Sequence, residues 1–261
     1  MMNPAEFSNI AAAERDLWWY RGMKQILYAI LDPIARENRI ESVLEAGCGT
    51  GHLSATLAAR YGWSMTPLDA DAAGLGYAHE SGLTRLVQAT ITALPFRAAS
   101  FDALLSIDVI PHLDRGAEHR AFAEFARVLK PGGVLVVRAA AFDGLRSRHS
   151  QFVNEVQRFT RPQLIAAAGR AGLRVERATY ANSLLLPIAA FKFRMWEPLT
   201  RQAPASGVAP VAKWLDALLY TPLRMEAAWI ARGQSLPIGQ SVILIARRSA
   251  GKEPGGPPEK N

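Results

Sequence analysis

Cysteine is almost absent from this sequence, which has only Cys48 in 261 residues. A single thiol can form neither a disulfide framework nor a zinc site made of several cysteines, so both are excluded and no metal site is predicted. Uncharged apolar runs of about 18 residues, the length of a membrane-spanning helix, are also missing. The first residues lack a basic start followed by an apolar core, so we expect no secretory signal. These absences favour a globular protein of the reducing cytoplasm.

Acidic residues are scarce in the second half of the chain. Residues 1–130 hold 12 Lys and Arg against 15 Asp and Glu, whereas residues 131–261 hold 18 against 8, and the whole chain carries +7. A basic half of this kind fits an anionic membrane surface or an acidic substrate. The alternative is a solvated, arginine-rich surface without a partner.

Apolar runs alternate with helical patterns from residue 40 to about residue 180, which is typical of βα units on a mostly parallel sheet. The predicted strands are Ser42–Glu45, Ser64–Leu68, Thr84–Gln88, Ala103–Ile107, Val134–Val137, Arg174–Thr179 and Ser241–Ala246. The predicted helices between them are His52–Arg60, Ala72–Glu80, Arg120–Leu129 and Pro162–Ala171. Because Pro67 lacks an N–H to donate, we expect the second strand to end or bulge early.

Two additions frame this layer. The aromatic-rich residues 1–39 predict an N-terminal helical lid, and residues 183–240 predict a helical insertion or second lid before the last strand. Proline-broken helical pieces are expected in the insertion at Val211–Leu219 and Leu223–Arg232. The sheet domain is expected over residues 40–248, and residues 249–261 are too rich in Gly, Pro and charge to fold.

Three glycines, Gly47, Gly49 and Gly51, follow the first predicted strand in the stretch VLEAGCGTGHL. A strand, a glycine turn and a helix N-terminus make a site where backbone N–H groups can meet a polar or nucleotide-like ligand. The spacing differs from the dinucleotide fingerprint G-x-G-x-x-G, because position 52 is His. A nicotinamide-dependent oxidoreductase is therefore the less favoured alternative.

The stretch VLEAGCGTGHLS resembles the first motif of the class I S-adenosylmethionine-dependent methyltransferases, an acidic residue followed by G-x-G-x-G. Three further stretches resemble that family in the same order: PLDADAAGLGYA, LVQATITALPFRAASFDALLSIDVIPHL and EFARVLKPGGVLVV. The resemblance covers about residues 40–140. It implies a Rossmann-like, seven-stranded sheet, mostly parallel with an antiparallel last strand, and an enzyme that uses S-adenosyl-L-methionine.

The resemblance also implies roles for the matching acidic residues. Glu45 would organise the glycine loop or the ammonium group of the cofactor, while the three glycines let the chain pass close to its methionine part. Asp69, 20 residues after Gly49, would hold the ribose hydroxyls. Asp108, after the fourth strand, would face the methionine end.

The adenine end departs from the family pattern. Ala70 would pack on the adenine, as the resemblance implies. Thr90 stands where the family usually has Asp, so it would make only a neutral hydrogen bond to the adenine amino group. The backbone N–H of Ile91 would then carry more of the recognition.

A looser resemblance extends to a bacterial subgroup acting on small molecules, through the stretches LWWYRG, SRHSQFVNEVQRFT and LPIGQSVILIARR. Trp19 and Tyr20 would close over the cofactor with Arg21 meeting its carboxylate, or the aromatic residues would pin the first helix to the core. His112 and His149 are candidate general bases because both follow strand carboxyl ends. A structural role for either histidine is the alternative.

The sequence favours direct methyl transfer to an oxygen or nitrogen of a small-molecule or lipid-like acceptor. Nucleic acid is not expected as substrate, because the N-P-P-Y tetrad of base amino-methylating enzymes is missing. The basic residues and tryptophans of residues 211–232 predict weak peripheral contact with anionic lipid. A non-catalytic cofactor-binding module is the second interpretation, and the sequence leaves the oligomeric state open.

Overall fold

The computed structural model describes residues 2–200, 203–209 and 211–249. A seven-stranded sheet with the order β3-β2-β1-β4-β5-β7-β6 forms its centre. The strands are β1 Ser42–Ala46, β2 Ser64–Asp69, β3 Val87–Gln88, β4 Phe101–Ile107, β5 Leu129–Ala140, β6 Leu173–Ala181 and β7 Ser241–Arg248. Strands β1 to β5 pair in parallel, and β7 is antiparallel to β5 and β6. The predicted fold class is confirmed, while residues 250–261 of the expected tail lie outside the described residues.

Helices cover both faces of the sheet. They are α1 Ala5–Ala13, α2 Trp18–Glu37, α3 His52–Tyr61, α4 Ala72–Glu80, α5 Glu118–Val128, α6 Arg148–Phe152, α7 Arg161–Arg170, α8 Leu186–Phe191, α9 Glu197–Thr200 and α10 Lys213–Ala231. A π-helical turn, Lys192–Trp196, joins α8 to α9.

The core forms two apolar clusters because successive strand residues point to opposite faces. Leu44 packs with α5 and α7 in one cluster, and its neighbour Val43 packs with α2 and α10 in the other. Both side chains are fully buried, as expected for parallel strands covered on both faces.

Pro67 does not interrupt β2, so the expectation of an early end or bulge was wrong. It pairs in register with Glu45 inside the strand. The carbonyl of Leu68 faces β1, where it accepts the N–H of Gly47, so the backbone nitrogen of Pro67 faces the other side. Strand β3 pairs there only with Leu68 and Asp69, and no ladder bond is lost at Pro67.

Helix α10 runs without a break through Pro222, where the sequence predicted two helical pieces. The helix lies along α2, and Leu223 is fully buried against Gly22. A Cβ at Gly22 would lie 2.2 Å from a Leu223 methyl carbon, so the two helices approach as closely as glycine allows. This tertiary burial holds the helix together across the proline.

Only the first part of the predicted N-terminal lid lies outside the core. Helix α2 buries Met23, Ile26, Ile30 and Leu31 in the cluster beneath α10, so it belongs to the sheet layer. Helix α1 contacts α4 and the glycine loop instead. The lid proposal is therefore restricted to residues 2–16.

Candidate active site

The glycine loop lies at the carboxyl edge of the sheet, between β1 and α3. Gly47 and Gly51 have φ angles of 98° and 74°, a region that side chains rarely adopt. A Cβ at Gly47 would lie 2.1 Å from Val109, and one at Gly51 would lie 2.6 Å from Leu83. Glycine is therefore required at these two positions by the positive φ angles and by close packing against Val109 and Leu83. The sequence pattern had instead given both glycines a role facing the ligand.

Asp69 ends β2 beside this loop. Its carboxylate accepts the N–H of Gly49 at 2.8 Å and the N–H of Asp71 at 2.9 Å. Burial raises its pKa, and these two backbone bonds oppose that rise. Asp69 thus fixes the glycine loop relative to β2 and presents a carboxylate at the sheet edge.

The expected adenine positions lie next to Asp69. Ala70 is exposed beside it, and the N–H of Ala89 bonds the carbonyl of Asp69 at 3.0 Å, which brings the end of β3 alongside. The hydroxyl of Thr90 is exposed and lies 3.0 Å from the hydroxyl of Thr92. The side chain of Ile91 is buried in the core, which leaves its backbone as the only part that could face a ligand.

Glu45 lies beneath the loop. It is 2% exposed and accepts a short hydrogen bond from the hydroxyl of Ser54 in the first turn of α3. Burial, together with the nearby carboxylate of Asp69, raises the pKa of Glu45 to about 8 against the opposing effect of the Ser54 hydrogen bond. Burial likewise raises the pKa of the Cys48 thiol, which makes that sulfur a poor nucleophile.

Helix α1 covers the loop from above. Phe7 is buried, and its ring lies 3.8 Å from where a Cβ of Gly49 would stand. Downstream of α1, Glu14 accepts a hydrogen bond from the hydroxyl of Thr50 at 2.5 Å. Neither Phe7 nor Glu14 received a role from the sequence patterns, although both lie within the predicted N-terminal helical lid.

The aromatic residues at the start of α2 divide between the core and the site. The rings of Trp18 and Trp19 meet edge to face at 5.9 Å and pack against the cluster beneath α10. Tyr20 is largely buried, and burial together with the carboxylates of Glu6, Glu14 and Asp108 raises the pKa of its hydroxyl.

Arg21 contacts α10, and its contact with the cofactor carboxylate stays a prediction. Its guanidinium is 3.0 Å from the carboxylate of Asp216 and 4.4 Å from the ring centre of Tyr220, both on α10. The N–H of Trp18 donates to the same carboxylate at 2.8 Å. Arg21 therefore links α2 to α10.

Asp108 and Arg138 form an ion pair at the ends of β4 and β5. The φ angle of Asp108 is 59°, an uncommon backbone conformation for a residue other than glycine. Sequence analysis missed Arg138, yet a charged residue within the apolar run VLVVRAAA was a usable signal. The pair leaves the Asp108 carboxylate partly exposed at the sheet edge.

His112 follows β4 in a short 3-10 turn. Its Nδ1 is buried and has no hydrogen-bond partner among the described residues. Burial lowers the pKa of the ring, and a hydrogen bond to the backbone of Asn154 partly opposes this. Since the bonded nitrogen is not Nδ1, the neutral ring carries its proton on Nε2 and an unshared lone pair on Nδ1.

His149, in α6, is held differently. Its Nδ1 accepts the N–H of Gly207 at 3.0 Å and lies 3.7 Å from the carboxylate of Glu6. Burial lowers the pKa of His149 and so favours the neutral ring. Because Nδ1 accepts a hydrogen bond, the neutral ring carries its proton on Nε2.

A buried ion pair lies beside both histidines. Arg158 and Glu155 meet at 2.6 Å with side chains 9% exposed, and Arg158 also donates to the hydroxyl of Ser150 at 2.7 Å. Glu155 raises the pKa of His112 and of His149 against the effect of burial. Sequence analysis singled out only the histidines of this group.

Two open clefts lie at the opposite, amino edge of the sheet. One, of about 480 Å³, is lined by residues that include Asp32, Arg60 and Trp63. The other, of about 340 Å³, is lined by residues that include Lys130 and Arg247. Neither is lined by a predicted site residue, and ligands of such sheets bind at the carboxyl edge.

The carboxyl edge fits S-adenosyl-L-methionine in its chemistry. Asp69 offers a carboxylate for hydroxyl groups, Ala70 an open apolar surface, and Gly49 a bare backbone facing the lid. At the other end of this edge, charge and hydrogen-bonding groups are supplied by Asp108, Tyr20 and Arg138.

Residues 44–137 match the family model described as "Methyltransferase domain". The chain is 32% identical over 125 residues to a sterol methyltransferase-like protein of Botryococcus braunii, covering 44% of this chain and 32% of that protein. It is 38% identical over 120 residues to a malonyl-[acyl-carrier protein] O-methyltransferase of Methylovorus sp., covering 41% of this chain and 39% of the relative. The match therefore spans less than half the length of these relatives.

Solved structures share the fold. A phosphoethanolamine N-methyltransferase of Haemonchus contortus superposes with a TM-score of 0.54 at 19% identity, over 87% of this chain and 52% of that one. A geranyl diphosphate C-methyltransferase of Streptomyces coelicolor gives 0.53 at 17% identity, over 80% and 69%. Residues 44–137 therefore match a methyltransferase domain, and the same part of the chain holds the glycine–carboxylate site within a sheet whose fold these structures share.

Proposed function

We propose that this protein transfers a methyl group from S-adenosyl-L-methionine to a hydroxyl oxygen of a small or lipid-like acceptor, with His112 as general base. The observation that carries the proposal is the buried, unpartnered Nδ1 of His112 at the carboxyl edge. An unsatisfied buried nitrogen costs free energy, and the hydroxyl of an acceptor would supply the missing partner.

The residues proposed to hold the cofactor are those that the sequence resemblance implies. Asp69 would accept the ribose hydroxyls, Ala70 would face the adenine, and the Thr90 hydroxyl and Ile91 N–H would reach its amino edge. When bound, the cofactor supplies a methyl group on a positively charged sulfur that departs as a neutral thioether. The chain mainly has to align the acceptor, an effect that contributes about 7–11 kcal/mol in favourable cases.

His112 would take the acceptor proton at Nδ1 while the acceptor oxygen forms its bond to the methyl carbon and the carbon–sulfur bond breaks. Because burial lowers its pKa, His112 stays neutral below its ordinary value of 6.5. The Nε2–H of His149 would donate to a polar group of the acceptor and orient it. Glu155 would stabilise His112 when it becomes protonated, because its charge already raises the pKa of that ring.

The acceptor class is inferred from the surroundings of the site and from the relatives. Phe7 covers the glycine loop, and the insertion next to His149 exposes large apolar side chains, which suits a small apolar molecule with one polar group. The relatives are named for sterol methylation and for O-methylation of a malonyl thioester. Both descriptions support a small or lipid-like acceptor and leave transfer to nitrogen as the second candidate.

The test measures release of S-adenosylhomocysteine with a panel of phenols, hydroxylated fatty acids, sterols and matched amines. With the best hydroxyl acceptor, His112→Gln should lower kcat by about 10²–10⁴-fold without changing cofactor affinity. The wild-type rate should fall only as pH drops below 6.5, because the base must be neutral. His149→Gln is the matched variant, and it should raise KM more than it lowers kcat.

Full activity of His112→Gln on hydroxyl acceptors would overturn its role as base. Turnover of amines alone, equally fast in His112→Gln, would replace O-methylation by N-methylation. Cofactor binding without turnover of any acceptor in the panel would favour the non-catalytic module.

A further inference from the structure

Large apolar side chains are exposed almost entirely on the insertion, residues 183–240. Leu199 is 79% exposed and Trp214 is 70% exposed, values far outside the range of core residues. The exposed set on the insertion is Leu184, Ile188, Phe191, Met195, Trp196, Leu199, Val211, Trp214, Leu218, Met225, Trp229 and Ile238. Outside the insertion, Ile165 is the single such residue in the described part of the chain.

These side chains form stripes along the helices. Ile188, Met195 and Leu199 are spaced by seven and four residues along the helical segment 186–200, which places them on one side. On α10, Trp214 and Leu218 are one turn apart, and Met225 and Trp229 repeat the spacing. The opposite side of α10 is buried against α2.

Hydrogen bonds join the start of the first stripe to α10. The N–H of Leu184, just before α8, donates to the buried carboxylate of Glu226 in α10 at 2.6 Å. The hydroxyl of Ser183 bonds the carbonyl of Ile238. The residues just before α8 are thus bonded both to α10 and to Ile238, and the exposed apolar residues of the insertion are together called the insertion face.

The charges of the insertion are separated by sign. Its exposed charged residues, within the described part of the chain, are all basic: Lys192, Arg194, Lys213, Arg224 and Arg232. Its acidic residues are turned inward. Asp216 pairs with Arg21, Glu226 accepts from the Leu184 backbone, and Glu197 accepts the N–H of Arg148 at 2.8 Å.

We propose that the insertion face docks on an anionic lipid bilayer. Exposed tryptophans on an apolar surface bordered by basic residues are the features of helices that lie in the membrane interface. An apolar surface whose exposed charges are all positive is complementary to anionic headgroups above acyl chains. A second copy of the same surface would offer no acidic groups to pair with these basic residues. No helix in the described ranges is long and apolar enough to cross a bilayer, so the contact is peripheral.

Docking would bring the proposed methyl-transfer site to the lipid. The segment 186–200 touches α6 through Glu197 and Arg148, and α6 carries His149. The charge of Lys192 also lowers the pKa of His149, so the rim of the pocket borders the insertion face. A lipid-like acceptor could enter from the bilayer along this rim.

The experiment is co-sedimentation of the full chain with vesicles of phosphatidylcholine alone or with one-quarter phosphatidylglycerol, at low and high salt. We expect binding to the anionic vesicles at low salt and loss at high salt. Lys213→Gln and Arg224→Gln should each weaken binding about fivefold, the change expected for about 1 kcal/mol per basic residue. Trp214→Ser with Leu218→Ser should abolish sedimentation.

Arg120→Gln is the matched control, because Arg120 is an exposed basic residue on α5 at the other face of the sheet. It should bind vesicles as the wild type does, and circular dichroism melts confirm that all variants are folded. Equal recovery with neutral vesicles, or an equal loss in Arg120→Gln, would overturn the proposal. Dimerisation that Trp214→Ser removes, without vesicle binding by the wild type, would assign the face to a second copy instead. The readout does not involve methyl transfer, so it stands apart from the proposed function.

Discussion

Replacing Asp69 by Asn tests the cofactor site at the position where loop structure and ligand contact meet. The carboxylate already accepts two backbone N–H groups, from Gly49 at 2.8 Å and from Asp71 at 2.9 Å. An amide keeps one accepting oxygen and turns an NH₂ group toward the other donor. The variant therefore loses an acceptor for the ribose and one bond that holds the loop.

The expected magnitude follows from one unpaired polar group. Leaving a buried donor or acceptor without a partner costs about 1–3 kcal/mol, which corresponds to an affinity about 5-fold to 150-fold weaker. Isothermal titration calorimetry with S-adenosylhomocysteine measures this change directly. Thermal melts show in parallel whether the loss of one loop bond lowers the stability of the free protein.

Asp71→Asn is the matched control, since it removes the same charge two residues away. The Asp71 side chain accepts the N–H of Ala73 as the N-cap of α4, a bond that the amide oxygen of Asn retains. Its affinity should stay within about twofold of the wild type, a difference of about 0.4 kcal/mol. Unchanged affinity in Asp69→Asn, or an equal loss in both variants, would refute a ribose contact at Asp69.

Two further predictions concern the N-terminal lid and Glu45, which lies beneath the glycine loop. Deleting residues 1–16 should leave a folded protein that retains the cofactor poorly and has lost methyl transfer. Deleting residues 1–24 should also lower the melting temperature strongly, because it removes the buried Met23 and the contact of Gly22 with Leu223. Full-rate turnover by the shorter deletion would rule out the lid. Since burial raises the pKa of Glu45 to about 8 from its ordinary 4.5, the folded state holds a proton that the unfolded state releases, and stability should fall as pH rises from 4.5 to 8. Thermal melts of the wild type and of Glu45→Gln at pH 5 and pH 9 should show this loss in the wild type only, and parallel behaviour would contradict a buried protonated carboxyl.

Local patterns in the sequence determined the layer of strands and helices. Apolar runs predicted the central strands such as β1 and β4, because a buried parallel strand needs a continuous run of such residues, and all seven strands were predicted in the right order. The motif EAGCGTG followed by Asp69 located the cofactor edge, because a turn with positive φ angles requires glycine there. The family and the cofactor could therefore be inferred before any coordinates.

Contacts between distant parts of the chain decided the rest. Trp18 and Arg21 reach Asp216, 198 residues from Trp18, and no local pattern indicates that pairing. The burial of Leu223 against Gly22 keeps α10 intact through its proline, against the local preference to break.

The roles of the two histidines were also decided by the tertiary structure. In sequence both follow strands equally well, but the Nδ1 of His149 is bonded by the Gly207 backbone, and the Nδ1 of His112 is buried without a partner among the described residues. Which ring nitrogen has a free lone pair depends on neighbours that only folding supplies. The sequence therefore determined where the cofactor edge lies, and packing across the chain determined which side chains are available at that edge.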